Sequence, residues 1–365
     1  MKLKDIISAL EQLAPPAYQE SYDNSGLITG DPQMEITGVL VSLDCLESIV
    51  DEAIANKCNL IVAHHPIIFS GLKKITGKNY VERVIIKAIK HDIAIYAIHT
   101  NLDNVLHGVN MKFAQMLGLK DPHVLSEKRD QLRKLVTFSP EKDAEKVREA
   151  LWAAGAGTIG NYDAVSFNSN GIGTYRGNEL SNPVIGEKGK FMQEPEVRIE
   201  IIFPHHLEGN IMRALRASHP YEEIAYDIIP LTNSWNRIGS GMVGTLEKEM
   251  SLPQFLSQIK KVMKAEVVRY TNIDGKTIKR VAICGGSGSF LIKDALQHGA
   301  DIFITADLKY HQFFDGEDKM VLADIGHFET EQFTIDLLHD FLTQKFPTFA
   351  VRRTGLNTNP ITYLT

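Results

Sequence analysis

Apolar positions along this chain alternate between two textures. Short, near-continuous apolar runs, "ITGVLVSLD" from residue 36, "NLIVAHH" from 59 and "IAIYAIHT" from 93, are separated by stretches of helical spacing, Leu46 to Asn56 and "NYVERVIIKAIKHD". A run that is apolar at every position predicts a strand covered on both faces, and strands alternating with helices predict a parallel or mixed sheet. The style returns near the end of the chain in "KRVAICGGSGSFLIKDALQHGADIFITADLKYH" and "KMVLADIGHFETEQFTIDLLHDFL", with strands predicted at Val281 to Cys284, Ile302 to Thr305 and Met320 to Ala323. The chain therefore reads as two α/β lobes.

Between the lobes the texture changes. "LRKLVTFSPEKDAEKVREALWAAGAGTIGNYDAVSFNSN" reads strand, helix, strand, with Pro140 at the helix start and Gly155 at its end; "VRIEIIFPHHLEGNIMRALRASHPYEEIAYDIIPL" repeats the order. The sum is β-α-β-β-α-β, the ferredoxin-like order. The predicted fold is thus a split α/β domain, 1–126 with 233–365, interrupted by an inserted ferredoxin-like α+β domain at 127–232.

A length of 365 residues suits such a multidomain reading, and 44% hydrophobic with 23% charged residues belongs to the folded globular class. A formal net charge of -6 argues against a nucleic-acid partner. Cys45, Cys58 and Cys284 stand apart among apolar neighbours, which predicts reduced thiols and argues against a zinc-thiolate site. The opening "MKLKDIISALEQLAPP" has Leu3, Ile6, Ile7, Leu10 and Leu13 at helical spacing up to Pro15 and Pro16, without a signal peptide's continuous apolar core. No stretch is long enough to cross a bilayer, so a cytoplasmic protein with no membrane partner is expected.

The chemistry sits where apolar strands end. Consecutive side chains of a strand face opposite ways, so His64 and His65 can converge only once the strand is over, and Pro66 supplies that ending. Open α/β sheets hold their ligands at such carboxyl ends. Taken alone, the pair reads first as two satisfied surface histidines. The next strand leads to His99 and Asp103, although an aspartate there also serves as a helix cap or turn former. The segment "DIGHFETEQF" carries His327 and Glu331 one helical turn apart, which alone reads as a surface pair. Together, His64, His65, Asp103, His327 and Glu331 form a set that suits two divalent ions, with zinc, manganese or iron fitting the donors and Glu331 or Asp103 able to bridge.

Other stretches carry weaker signals. "CGGSGSFLI" offers Gly286 and Ser287 to a phosphate, or is simply a tight turn. His311 in "TADLKYHQFFD" is a candidate general acid or base, with a buried structural histidine as the alternative. "SYDNSGLITGD" reads as a turn at Asp23 and Asn24. His205 and His206 read as loop residues ahead of a helix, and His219, Tyr221 and Glu222 as packing residues at a turn.

The stretches "DNSGL", "AHHPIIF", "HTNLD", "CGGSGS", "TADLKYH" and "GHFETE", in this order, resemble the NGG-one-interacting-factor-three-like dinuclear-metal family, also labelled GTP cyclohydrolase 1 type 2 homologs. The resemblance spans both lobes. It implies two metal ions at positions matching the five donors named above, a ring-like homohexamer, and a PII- or CutA-like middle domain that includes "HPYEE". Tyr22 stands where the family often has tryptophan and Ala306 where it usually has glycine, departures that bear on pocket shape. The function implied is metal-dependent hydrolytic opening of the imidazole ring of GTP, with His311 or His99 moving protons and the loop at Ser287 holding phosphate. A metal-dependent phosphoesterase and a non-catalytic metal-binding regulator or scaffold are the alternatives.

Overall fold

Val39–Ser42, Leu60–Ala63 and Ala94–Ala97 form four-residue strands in which every residue is buried, as their unbroken apolar character predicts. They belong to a computed structural model that describes residues 1–364. The three strands pair in parallel, and Gly26–Thr29 closes one edge of their sheet antiparallel to Ala94–Ala97. The other edge is Val351–Arg353, contributed from near the end of the chain and parallel to Val39–Ser42. That short, polar strand is not visible in the hydrophobic pattern.

Helices Glu47–Ala55 and Tyr80–Lys90 pack on this sheet through Ile49, Val50, Ala53, Val84, Ile85 and Ala88. Tyr80–Lys90 starts where it does because the Asn79 side chain accepts a hydrogen bond from the Glu82 amide at 2.9 Å, a cap worth about 1 kcal/mol. Lys87 and Lys90 in its last turn complement the negative end of the helix dipole.

The second sheet has six strands in the order Arg269–Tyr270, Val321–Asp324, Ile302–Ala306, Thr277–Ser287, Ser234–Ser251 and Lys120–Arg129. Thr277–Ser287, Ile302–Ala306 and Val321–Asp324 are parallel neighbours. The predicted Val281 to Cys284 segment is thus the centre of a longer strand. Val109–Leu117 and Leu252–Val262 cover one face, and Ile292–Gln297 lies on the other with Phe303 and Leu322.

The chain divides into two compact units, Met1–Glu127 with Arg237–Thr365, and Lys128–Asn236. The first holds the two mixed sheets, each with a parallel centre. In the second, strands Leu132–Pro140, Phe167–Arg176, Phe191–Pro204 and Tyr226–Leu231 form an antiparallel sheet with the second and third at one end and the fourth at the other. Helices Ala144–Ala153 and Glu208–Ser218 cover one face through Val147, Leu151, Ile211 and Leu215. The element order is β-α-β-β-α-β. All three cysteines are free and buried. Among the described residues, no helix is long and apolar enough to cross a membrane.

Candidate metal centre

The ladder beside Leu60–Ala63 continues to the His64 and His65 amides, which donate to Ser42 and Leu43 at 3.2 and 2.9 Å. Beyond that point the backbone turns at Pro66 and both imidazoles reach one place, with ring centroids 5.0 Å apart. The neighbouring strand delivers His99, and the helix Thr100–Asn104 delivers Asp103. From the second sheet, Val321–Asp324 ends at Gly326, whose φ of +99° suits glycine and leads directly into the helix His327–Glu331. All these donors therefore sit past the carboxyl ends of parallel strands.

His64 is fully buried, and its Nδ1 lies 2.8 Å from the Ile98 carbonyl, which fixes the proton on that nitrogen. Its Nε2 consequently presents a lone pair, 3.6 Å from Asp103 Oδ1 and 3.8 Å from Glu331 Oε1. Neither His64 Nε2 nor Asp103 Oδ1 has a hydrogen-bond partner, although both atoms are buried. Electron pairs facing each other out of water are costly unless a cation lies between them.

Glu331 is buried too, and its second oxygen faces the other way. Oε2 stands 2.9 Å from His65 Nε2 and 3.1 Å from His327 Nε2. Donors on one zinc ion at about 2.0–2.1 Å in a tetrahedral site lie about 3.3 Å apart, so all four separations fit donors around an ion. Among the described residues, three groups could hold a metal ion: His65, His327 and Glu331; His64, Asp103 and Glu331; and His64, His65 and His99.

The outer nitrogens of the other three imidazoles are held by carboxylates. His65 Nδ1 is 2.8 Å from Asp44, His327 Nδ1 is 2.6 Å from Asp307, and His99 Nδ1 is 2.7 Å from Asp23. Such partners orient metal-binding histidines and raise their basicity. Burial opposes charge on His65, yet the Asp44 and Glu331 carboxylates outweigh it and lift its pKa to about 10. In His327 burial again opposes charge, and Glu331 with Asp307 lifts the value to about 11. Burial lowers His64, while burial and the Glu331 charge raise Asp103 well above the usual carboxylate range. Burial would raise Glu331 as well, but the surrounding imidazoles hold it well below that range. Asp23 is likewise held low, the hydrogen bonds from His99 and Thr100 exceeding the effect of burial.

Asp44, His65, His99, Asp103, His327 and Glu331 line a cavity of about 650 Å³ together with Ser287 and Gly285, and exposed Tyr22, Phe69 and Phe290 add aromatic surface. Gly286 has a different place from the one expected for it. Its amide donates to Thr330 Oγ1 at 2.9 Å, its carbonyl accepts from Thr305, and a Cβ on it would collide with Glu331 Oε1. The glycine makes room for the carboxylate, and its amide is not free for an anion. Ser287 donates to Asp307 at 2.7 Å.

His311 lies on the exposed 3-10 segment Tyr310–Gly316 against Tyr310 and Phe314, so the expectation of a buried structural histidine is corrected, and it does not line this cavity. Asp23 is more than a turn residue, since its carboxylate takes His99, Thr100 and Ser25. Asp44 went unmarked in the sequence, although it follows an apolar strand as the other site residues do.

The family model for Duf34/NIF3 (NGG1p interacting factor 3) matches residues 1–360. The chain belongs to the Duf34/NIF3 family. It is 39% identical over 374 residues to a Bacillus subtilis relative named "GTP cyclohydrolase 1 type 2 homolog", covering 99% of this chain and 98% of that protein. Among solved structures, a Bacillus cereus protein related to NIF3 matches with a TM-score of 0.87 and 36% identity, covering 100% of this chain and 99% of the other. A Staphylococcus aureus protein matches with a TM-score of 0.80 and 32% identity at the same coverage. In this Duf34/NIF3 chain, the cluster of His64, His65, Asp103, His327 and Glu331 is therefore embedded in a fold shared from end to end with those relatives.

Proposed function

We propose that this protein binds two divalent metal ions per chain and is a metal-dependent hydrolase of purine nucleotides, opening the imidazole ring of GTP as the name of its relatives suggests. One observation carries the dinuclear part. The two oxygens of Glu331 face different donor groups, Oε2 toward His65 and His327, Oε1 toward His64 and, beside it, Asp103. Charge supports the same count, because Asp23, Asp44, Asp103, Asp307 and Glu331 gather around four imidazoles and two dications would offset most of that negative charge. Imidazole and carboxylate donors suit zinc, with manganese and iron as alternatives.

Ions bound there supply Lewis acidity and a water of lowered pKa. The chain's own groups do the rest. Asp23 fixes the His99 ring through Nδ1 at 2.7 Å, leaving Nε2 to take or deliver a proton in the cavity. We assign that role to His99 and none to His311. Tyr22, Phe69 and Phe290 suit the faces of a planar base, and Ser287 in the cavity wall meets a phosphate by turning its hydroxyl proton from Asp307 to the ligand.

We further read the two compact units as a split metal domain and a PII- or CutA-like insert, within a homohexamer of the kind the family resemblance implies. A non-catalytic sensor is the second reading, favoured by a separate cavity of about 750 Å³ within the insert, lined by Phe138, Tyr175, Arg198 and Tyr221. The test is to determine metal content, load the protein with zinc, manganese or iron, and follow the purine absorbance of GTP alongside a generic phosphodiester. Loss of the purine chromophore supports the ring-opening reading, cleavage of the diester alone supports a phosphoesterase, and two bound ions with neither reaction leave the sensor.

A further inference from the structure

Residues 354–364 form neither helix nor strand, yet they are fastened at several points. After the edge strand Val351–Arg353, the Thr354 amide donates to Val41 at 2.9 Å and the Gly355 amide to Glu52 at 2.7 Å. Three residues further on, Thr358 is 6% exposed and its hydroxyl donates to Asp44 Oδ2 at 2.5 Å. Asp44 Oδ1 is the atom that holds His65 Nδ1. The next residue, Asn359, donates through Nδ2 to Glu329 at 3.1 Å, and Glu329 lies on the short helix between His327 and Glu331. Two consecutive tail residues thus hold the supports of two elements that reach the site from different sheets.

We propose that residues 354–360 form a clasp that sets the geometry of the His65 and His327 donors, with Thr358 and Asn359 as positioning residues; this rests on the dinuclear reading above. The Asp44 carboxylate is pinned at both oxygens. Without the Thr358 hydroxyl it can rotate about its terminal bond, and His65 loses the fixed partner that keeps Nε2 aimed at Glu331. Among the described residues, neither His64 nor Asp103 hydrogen-bonds to the tail; the His64 ring is fixed instead by the Ile98 carbonyl. The clasp should therefore act on one donor group and spare the other.

The test is calorimetric titration of metal-free full-length protein with zinc, comparing wild type, Thr358→Val, Thr358→Ser, Asn359→Ala and Glu331→Gln, with circular dichroism to check folding. Thr358→Val should weaken one of two binding steps about tenfold or more, the range for loss of an outer-shell partner, leave the other unchanged, and be rescued by Thr358→Ser. If Thr358→Val fails to fold, Asn359→Ala decides, with the same one-step loss expected. Folded variants that bind both ions like wild type, or weaken both steps equally, overturn the clasp while leaving the metal site intact. Wild type without any zinc binding overturns the metal-site reading itself, and the clasp with it. Glu331→Gln separates the two failures, since it should disturb both steps whatever the tail does.

Discussion

The chain contains two His-His pairs with opposite fates. His64 and His65 stand past the end of a parallel strand in the split unit, whereas His205 and His206 begin a 3-10 turn ahead of Glu208–Ser218 in the insert. The rings are similarly close, with centroids 5.0 and 6.2 Å apart, and burial acts against charge on both His65 and His206. For His206, burial and the charge of His205 act together and push its pKa down to about 4. For His65, the carboxylates of Asp44 and Glu331 reverse the sign and lift it to about 10. The dipeptide does not make the site; the carboxylates brought to it by the sheets do.

Removing the shared carboxylate should erase the difference most completely. Glu331→Gln is expected to lower the metal content from two ions per chain to one or none while the far-ultraviolet circular dichroism stays that of wild type, because the residue lies at a sheet end and not in the apolar core. Two ions retained per chain by elemental analysis would contradict the bridging role.

The next effect is that of the outer carboxylates. Asp44→Asn and Asp307→Asn each replace an acceptor of an imidazole N–H, and each should reduce metal affinity about 10–100-fold in competition titrations with a chelator. Affinities unchanged in both variants would mean that His65 and His327 need no orienting partner.

Protons sharpen the comparison further. The His65 and His327 values near 10 and 11 mean that both rings are protonated at neutral pH without metal, and only their neutral forms can bind an ion. Raised values mean protons held until the metal expels them, so affinity should rise with pH through the neutral range, with on the order of two protons released per chain at pH 7. Calorimetry in buffers of differing ionisation enthalpy measures this, and binding without proton release would contradict it. The smallest effect belongs to the other pair: replacing both His205 and His206 by Asn should leave metal content and its pH dependence unchanged.

Much of this site was legible because its donors follow apolar strands. Pro66 marked the end of one strand, and the four-residue spacing of His327 and Glu331 required only a helix start. The partners were not legible, for reasons of distance along the chain. Asp23 reads as a turn because His99, the ring it holds, lies 76 residues away, and Asp44 receives its second contact from Thr358, 314 residues on. Gly286 was visible as a flexible position, but only the packing of Glu331 against it explains the need. Val351–Arg353 and the long strand Ser234–Ser251 escaped notice because their polar residues break the apolar pattern that marked the other strands.

The most direct test is anomalous diffraction from crystals of the zinc-loaded protein. The account predicts two peaks per chain that share Glu331, one also bound by His65 and His327, the other by His64 and Asp103. A single peak that Glu331 does not touch, or no peak among these side chains, would contradict it.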